Sequence, residues 1–254
     1  MAKAKEKAKH TKAHTTFKNR IVQFDADLEL ADVVRLSITA SGEKSTQSAR
    51  VFEQVDNTKY PALARSAASE QGRKLAVTHL VRTLQSAYIK DLYEEFSIYL
   101  RTIVAEVWQN SKVTPKRLTG DNTSIKLPIA DVLRHIADNT INGYVIDTLF
   151  NTLAMERSTA ELIKKFCNKI GLSINEETID NAVEYFEIRH KLVHTDGYAD
   201  DIFKKQHPAL QYTGDGRIVI SFHVVTNAKN AVVSLVDEID KQCFNKDLVQ
   251  SHLK

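Results

Sequence analysis

The sequence predicts an all-α protein, a helical bundle with one long central helix and at most one minor extended segment near residues 217–224. Composition is the first reason, because the chain has only 8 Gly and 4 Pro in 254 residues, where average usage gives about 30 of the two together. That shortage argues against turn-rich β-sandwiches and barrels. The second reason is that apolar residues recur at helical spacing, and a chain that is 43% hydrophobic can form a substantial core.

The central helix is the strongest local pattern in the chain. No Gly or Pro occurs between Gly72 and Pro115, and apolar residues advance through this stretch in steps of three and four. We expect a helix over about residues 75–109, either continuous or broken into two near Ser86 or Lys90. Its apolar stripe consists of Val77, Val81, Leu84, Tyr88, Leu92, Phe96, Tyr99, Ile103 and Val107.

Apolar spacing and end signals predict six further helices. Ser158 with Glu161 is a capping box, and Gly171 follows the same segment as a C-cap, so both ends of one helix are marked. Ser173 with Glu176 repeats the capping pattern ahead of the next helix. The six helices are predicted over residues 25–38, 128–139, 144–156, 159–170, 174–194 and 227–244.

The first 20 residues are strongly basic. They hold six Lys and one Arg against one Glu, whereas the remaining 234 residues carry a net charge of −3. We expect residues 1–20 to be a disordered basic arm and residues 21–254 to be a single helical domain. Such an arm is attracted to nucleic acid through counterion release. The alternative is a solvated extension with no specific partner.

Missing patterns exclude several classes of protein. The chain has no glycine-rich phosphate loop, dinucleotide fingerprint, HExxH motif or nucleophile elbow. No apolar run approaches the ~18 residues of a membrane span, and the N-terminus lacks the apolar stretch of a signal peptide. Two cysteines, Cys167 and Cys243, give no disulfide framework. We expect a cytoplasmic protein without cofactor, metal or membrane partner.

One short segment, residues 184–201, carries a candidate for catalysis. Arg189 is followed directly by His190, and His194 comes five residues after the Arg. Arg followed by His at this or a similar spacing occurs three times in the chain, where about one match is expected by chance. The other two matches, Arg73/His79 and Arg217/His223, open the long helix and span the predicted strand. Context therefore singles out Arg189 and His194, near the end of a late helix.

At this position the sequence resembles the HEPN superfamily, whose ribonucleases carry Arg, a polar residue, three further residues and His. The resemblance covers the motif helix and extends more loosely over about residues 70–245. It looks most like the bacterial members found in toxin and phage-defence loci. It implies a homodimeric endoribonuclease, with Arg189 and His194 as its functional pair and an antitoxin or other regulatory partner.

The sequence departs from the family pattern at two places. The polar position after the Arg is commonly Asn or Asp in the family, and here it is His190. Some family toxins have a Tyr two residues after the His that a partner nucleotidyltransferase modifies, whereas this chain has Asp196 there and its nearest Tyr at Tyr198. We therefore do not expect a partner of that type.

The residue types suit RNA cleavage without a metal. The imidazole of His194 can act as general base or acid at neutral pH, and the guanidinium of Arg189 offers donors that match phosphate oxygens. His190 is the auxiliary polar contact, and Lys191 is a candidate phosphate contact. Five residues of ideal helix place Arg189 and His194 about 140° and 7.5 Å apart. The resemblance implies a two-fold dimer that brings two copies of the pair into one cleft.

Three alternatives remain open at this level. The first is a non-catalytic HEPN module that binds nucleic acid, nucleotide or a partner protein. The second is a helical interaction protein in which the match is coincidental, with Arg189 pairing with Glu184, Tyr185 or Asp196 and His194 capping its helix. The third is a zinc site, of which His190 and His194 would form half. The remaining histidines show no convergent set in the sequence: His10, His14, His79, His135, His207, His223 and His252.

Overall fold

The computed structural model describes residues 10–39, 56–110, 113–114, 127–154 and 158–249. Within these ranges the secondary structure is helical, apart from isolated β-bridges, so the predicted all-α fold is confirmed. The described helices are α1 (Lys12–Thr39), α2 (Pro61–Ala67), α3 (Glu70–Gln109), α4 (Ile129–Ala137), α5 (Ile141–Ala154), α6 (Thr159–Ile170), α7 (Glu176–His194), α8 (Asp201–Gln206) and α9 (Phe222–Asn245). None of them is both long enough and apolar enough to cross a membrane.

The long helix α3 runs without interruption from Glu70 to Gln109, so the break considered near Ser86 or Lys90 does not occur. Every residue of the predicted stripe is buried except Leu84, which is half-buried. The stripe was predictable because apolar side chains at steps of three and four must share one face of any α-helix.

The ends of α6 follow the predicted signals. The hydroxyl of Ser158 accepts a hydrogen bond from the backbone N–H of Glu161 at 3.1 Å. At the other end Gly171 has φ 82°, and the backbone N–H of Leu172 donates to the carbonyl of Cys167 at 2.8 Å. Such a left-handed cap satisfies the last carbonyls of the helix and favours glycine.

We therefore expect Gly171→Ala to lower the free energy of unfolding by about 1–2 kcal/mol, the cost of a Cβ in the left-handed region. The matched control is Gly143→Ala in α5, where an added Cβ meets nothing within 4 Å. That change should be neutral or stabilising, because Ala is the better helix former by about 1 kcal/mol. Urea denaturation of the two variants measures the difference, and equal effects would contradict this account of the cap.

The structure differs from the sequence prediction at the N-terminus. Helix α1 begins at Lys12 rather than near Asp25, so residues 12–20, predicted to belong to a disordered arm, are helical. The reason is that Ala13 and Phe17 are buried, Phe17 being only 2% exposed, and Phe17 contacts the ring of Tyr99 at a centroid distance of 6.1 Å. The lysines around them obscured this short apolar face. Residues 1–9 lie outside the described residues.

The predicted extended segment is reduced to two isolated antiparallel bridges. These join Tyr198 to Arg217 and Tyr212 to Ile218. The last helix, α9, already begins at Phe222, five residues earlier than expected, so the end of the predicted strand is helical. The short helices α2 and α8 were not predicted, because six or seven residues carry too little periodicity to be recognised.

The chain divides into two compact units. Unit 1 comprises Met1–Asn19, Leu92–Arg189 and Ala228–Lys254, and unit 2 comprises Arg20–Asp91 and His190–Asn227. Each unit is assembled from segments that are distant in sequence, which is why no linker in the sequence marks a boundary. The single domain expected over residues 21–254 stays a prediction.

Each unit has its own buried residues. In unit 1, the aromatic rings of Phe96 and Phe186 stack at 5.1 Å, and the hydroxyl of Tyr99 donates to the carbonyl of Val236 at 3.4 Å. In unit 2, the hydroxyl of Tyr88 donates to the carboxylate of Asp25 at 2.9 Å. Burial and this carboxylate both raise the pKa of Tyr88, so it stays a neutral phenol that donates this bond.

Candidate active site

The candidate motif lies at the C-terminal end of α7, as the sequence predicted. The helix ends at His194, and the backbone N–H of Gly197 closes it by donating to the carbonyl of Lys191 at 2.9 Å. Asp196 and Gly197 both have positive φ, 51° and 79°, which reverses the chain after the helix. The predicted Thr-Asp-Gly turn therefore fixes where the motif helix stops.

Arg189 belongs to unit 1, where partners from α3 hold its guanidinium. Its Nη2 donates to Oε1 of Glu94 at 2.7 Å, and its Cζ lies 4.5 Å from the centre of the Tyr93 ring. The side chain is 22% exposed. The partner in this ion pair is Glu94, and Asp196, one of the partners proposed from the sequence, pairs with Arg217.

The guanidinium of Arg189 is not fully satisfied. Its Nε is buried and has no hydrogen-bond partner among the described residues. Buried polar atoms are nearly always paired, since an unpaired one costs about 1–3 kcal/mol. The predicted functional residue therefore carries a donor that departs from this rule.

His190 and His194 both lie in unit 2 and are exposed. Their rings approach each other with centroids 4.4 Å apart and planes inclined by 44°, as expected for residues four apart on one helix. The side chain of His194 makes no hydrogen bond within the described part of the chain. Its imidazole is thus accessible to a substrate from solvent.

Lys191 is already engaged in an ion pair. Its Nζ donates to Oδ2 of Asp200 at 2.5 Å and lies 5.3 Å from the centre of the Phe203 ring. The hydrogen bond from Lys191 holds the pKa of Asp200 below its usual value, with help from the backbone N–H of Phe203. A phosphate that bound Lys191 would compete with Asp200, so the role assigned to Lys191 stays a prediction.

A cavity of about 240 Å³ lies within unit 2 beside the end of the motif helix. It is lined by three cationic side chains, Arg82, Lys90 and Arg217, and by residues that flank His194 in the chain, Leu192 and Asp196 among them. Arg217 is paired with Asp196 at 2.6 Å and with Asp215 at 3.2 Å. The cationic lining suits a phosphate or another anion.

Sequence reasoning missed this cavity. Arg82, Ser86 and Lys90 recur at steps of four along α3, which was the available signal, because such residues share one helix face. The same helix therefore carries both this polar face and the apolar stripe. Arg217 is more than 120 residues away in the chain, and no sequence pattern connects it to α3.

The two cysteines are unsuited to nucleophilic catalysis. Both are buried free thiols. Burial, followed by the charge of Glu238, raises the pKa of Cys167 to about 12, and burial likewise raises the pKa of Cys243. Because the thiolate is the nucleophile, thiols that stay protonated at neutral pH are inert.

The spatial grouping of the histidines differs in one respect from what the sequence predicts. His190 and His194 gain no third ligand among the described residues, whereas His10 and His14 converge with Asp240 of α9. The expectation that the remaining histidines form no set is therefore wrong for this pair. The physical reason is that folding places the start of α1 against α9, although the residues are about 230 positions apart.

Comparison with family models, with curated proteins and with solved structures gave no match to this chain. The likeness to HEPN proteins accordingly depends on the motif of Arg189 and His194 and on its position near the end of α7.

Proposed function

We propose that the chain is a metal-independent endoribonuclease of the HEPN type, acting in the cytoplasm as a toxin or phage-defence effector. The observation that supports this most is the environment of the motif. His194 is exposed at the end of α7 without a hydrogen-bond partner among the described residues, while Arg189 on the same helix has a buried Nε that also lacks one. His194 is thus open to a phosphodiester from solvent, whereas Arg189 would have to exchange its ion pair with Glu94 for the phosphate.

In the proposed reaction the ribose 2′-OH attacks the adjacent phosphorus. His194 takes the proton from this hydroxyl, the O2′–P bond forms and the P–O5′ bond breaks. The leaving O5′ takes a proton from an imidazolium of His194, so the products end in a 2′,3′-cyclic phosphate and a 5′-hydroxyl. Arg189 stabilises the negative charge on the phosphorane oxygens, and His190 is an auxiliary contact.

The proposal requires a two-fold homodimer. The side chains of Arg189 and His194 point about 140° apart on one helix, so one copy of the pair does not enclose a phosphodiester. A two-fold axis beside the end of α7 would bring two Arg189 and two His194 side chains to one cleft, since such an interface uses the same patch twice. The exposure of His190, Val193 and His194 leaves this end of the helix available for contact.

The cationic cavity of unit 2 gives RNA a second point of contact. Arg82, Lys90 and Arg217 line it, and Leu192 and Asp196, which also line it, flank His194 in the chain. Phosphate contacts of this kind position a nucleic acid without reading its sequence. We infer that the cavity holds a phosphate near the scissile bond.

A second candidate function is a non-catalytic module that binds nucleic acid, nucleotide or a partner protein. The ion pair of Arg189 with Glu94 favours it, because this pair occupies part of the guanidinium that catalysis requires. The cationic cavity is compatible with both functions.

Incubation of total RNA with the purified chain in EDTA distinguishes the two. The proposal predicts cleavage that continues under chelation, with circular dichroism confirming that the chelated chain stays folded. RNA binding without turnover, or binding of nucleotide alone, would favour the module. Cleavage that requires added metal would contradict the proposed chemistry.

The ion pair between Arg189 and Glu94 leads to a prediction of its own. We expect Glu94→Gln to raise RNA affinity by about fivefold, because it removes one negative charge next to the guanidinium of Arg189, and a nearby charge in water is worth about 1 kcal/mol. The glutamine oxygen still accepts the hydrogen bond from Arg189. Stability should change by less than about 1 kcal/mol, since Glu94 is 58% exposed.

The matched control is Glu70→Gln on the same helix. Glu70 pairs with Lys74 at 2.6 Å and is 62% exposed, so the two changes remove one charge each from comparable ion pairs. Filter binding at fixed ionic strength measures both. Equal affinities for the two variants would show that Glu94 does not act on bound RNA.

A further inference from the structure

We propose that His10, His14 and Asp240 form a binding site for a divalent first-row transition metal, with zinc as the expected ion. The site lies in unit 1, where α1 begins beside α9, and it is independent of the proposed nuclease. Two imidazole nitrogens and one carboxylate oxygen are a common protein ligand set for zinc.

The ligand atoms are spaced as such a site requires. One from each of the three residues lies within 4.8 Å of the other two, and Nδ1 of His10 is 3.2 Å from Oδ2 of Asp240. Bonds of about 2.0–2.1 Å in a tetrahedral zinc site place neighbouring ligand atoms about 3.3 Å apart. Small side-chain rotations would therefore complete the set.

The start of α1 positions His14, and His10 lies just before this helix. Thr11 caps this helix, because its hydroxyl accepts from the backbone N–H of His14 at 2.9 Å. The two imidazoles stack with centroids 4.1 Å apart and planes inclined by only 6°. Because an ion lies in the plane of each imidazole whose nitrogen binds it, one ring must rotate out of this stack before both can bind a single ion.

The carboxylate is fixed in the same way. Asp240 is 0% exposed as a residue, and its Oδ1 accepts from the hydroxyl of Thr11 at 2.6 Å. Its Oδ2 faces His10 at 3.2 Å and the backbone N–H of Thr11 at 3.3 Å. One oxygen is thus anchored by a hydroxyl, and the other faces the proposed ion. A cation at Oδ2 would add to the hydrogen bonds that already offset the cost of burying this charge.

Asp237 provides the support that metal-binding histidines usually have. Its Oδ1 lies 2.7 Å from Nε2 of His14, and Lys18 pairs with the same carboxylate at 3.2 Å. Ligating imidazoles generally donate their second ring N–H to a carboxylate, which fixes the tautomer and the ring orientation. His10 is partly exposed, with 43% of its side chain accessible, so an ion has a route from solvent.

Binding would tie the first turn of α1 to α9. With three protein ligands, the fourth position is open to water, as in many zinc sites. An ion that binds the folded chain preferentially raises its stability. We therefore expect added Zn²⁺ to raise the melting temperature of the metal-free chain.

The test uses the full chain after chelator treatment and dialysis. Titration with Co²⁺, followed by its visible absorption, and with Zn²⁺, followed by calorimetry, should each show one ion per chain. His14→Ala should weaken binding by about 100-fold or more, since even supporting residues of metal sites contribute about 10–100-fold. His190→Ala, in the other histidine pair at the same spacing, is the matched control and should leave the affinity unchanged.

His10→Ala keeps the test decisive if the His14 variant fails to fold, because His10 is the partly exposed ligand. It should also abolish the visible Co²⁺ bands and the rise in melting temperature with Zn²⁺. Absence of binding to the wild-type chain would overturn the proposal. Binding that is unchanged in the His10 and His14 variants, or that His190→Ala removes, would overturn it as well and leave Asp240 as a structural hydrogen-bond acceptor.

Discussion

Replacement of His194 by alanine is expected to lower the rate of RNA cleavage by about 10²–10⁴-fold, the usual contribution of a general acid or base. The fold should be unaffected, because His194 is exposed and makes no hydrogen bond within the described chain. Exposed substitutions of this kind usually change stability by less than about 0.5 kcal/mol. Single-turnover cleavage and thermal unfolding of the same preparation measure the two effects.

Arg189→Ala should lower the rate by about 10²–10³-fold, as removal of one transition-state donor does elsewhere. Arg189→Lys should not restore activity, since an ammonium lacks the planar fork of donors. The matched controls are Arg73→Ala and His79→Ala, because these two residues have a similar spacing on α3. Both variants should cleave RNA at the wild-type rate. Activity that survives at both Arg189 and His194 would contradict their assignment.

The second large effect is expected at Phe186, whose replacement by alanine should lower the free energy of unfolding by about 3–5 kcal/mol. Phe186 is buried on α7 within unit 1. Its ring meets Tyr93 edge-on and stacks on Phe96, each at a centroid distance of 5.1 Å. Tyr93 in turn lies under the guanidinium of Arg189. The cavity left by alanine would therefore also loosen the support of the motif.

Phe186→Leu is the control, because it keeps most of the apolar volume and should cost less than about 1.5 kcal/mol if the site repacks. Guanidinium denaturation gives both values. A cost below about 1 kcal/mol for alanine would mean that the contact between α7 and α3 within unit 1 contributes little to stability.

The helical framework was largely predictable because its signals are local. The stripe from Val77 to Val107 needs only its spacing to define a buried face, and Ser158 and Gly171 mark the ends of α6 through hydrogen bonds between near neighbours. The placement of the motif was predictable for the same reason, because Arg189 and His194 are only five residues apart and lie on one helix, α7. Features that depend on near neighbours in the chain can be predicted from the sequence.

The surroundings of the motif were not predictable. Glu94, the ion-pair partner of Arg189, is 95 residues away, and several acidic residues closer in sequence were equally reasonable partners. The cationic cavity of unit 2 likewise joins Arg82 to Arg217 across more than 120 residues. Such contacts depend on how helices pack, which spacing along one helix does not determine.

The start of α1 was not predictable from the sequence either. A Lys-rich composition suggested a solvated arm, yet Ala13 and Phe17 are buried within unit 1. The convergence of His10 and His14 on Asp240 follows from that packing. Within the sequence, neither the Ala13 and Phe17 pair nor the His10 and His14 pair distinguishes this segment from an exposed basic one.

The central claim is that the chain cleaves RNA by attack of the ribose 2′-OH, and cleavage of an RNA with a single 2′-deoxy substitution tests it most directly. The purified chain is incubated in EDTA with the all-ribose RNA and with the same RNA lacking the 2′-OH at a mapped cleavage position. We expect a 2′,3′-cyclic phosphate and a 5′-hydroxyl at that position in the first RNA, and no cleavage there in the second. Cleavage at the deoxy position, or a product with a 5′-phosphate, would contradict the proposed mechanism.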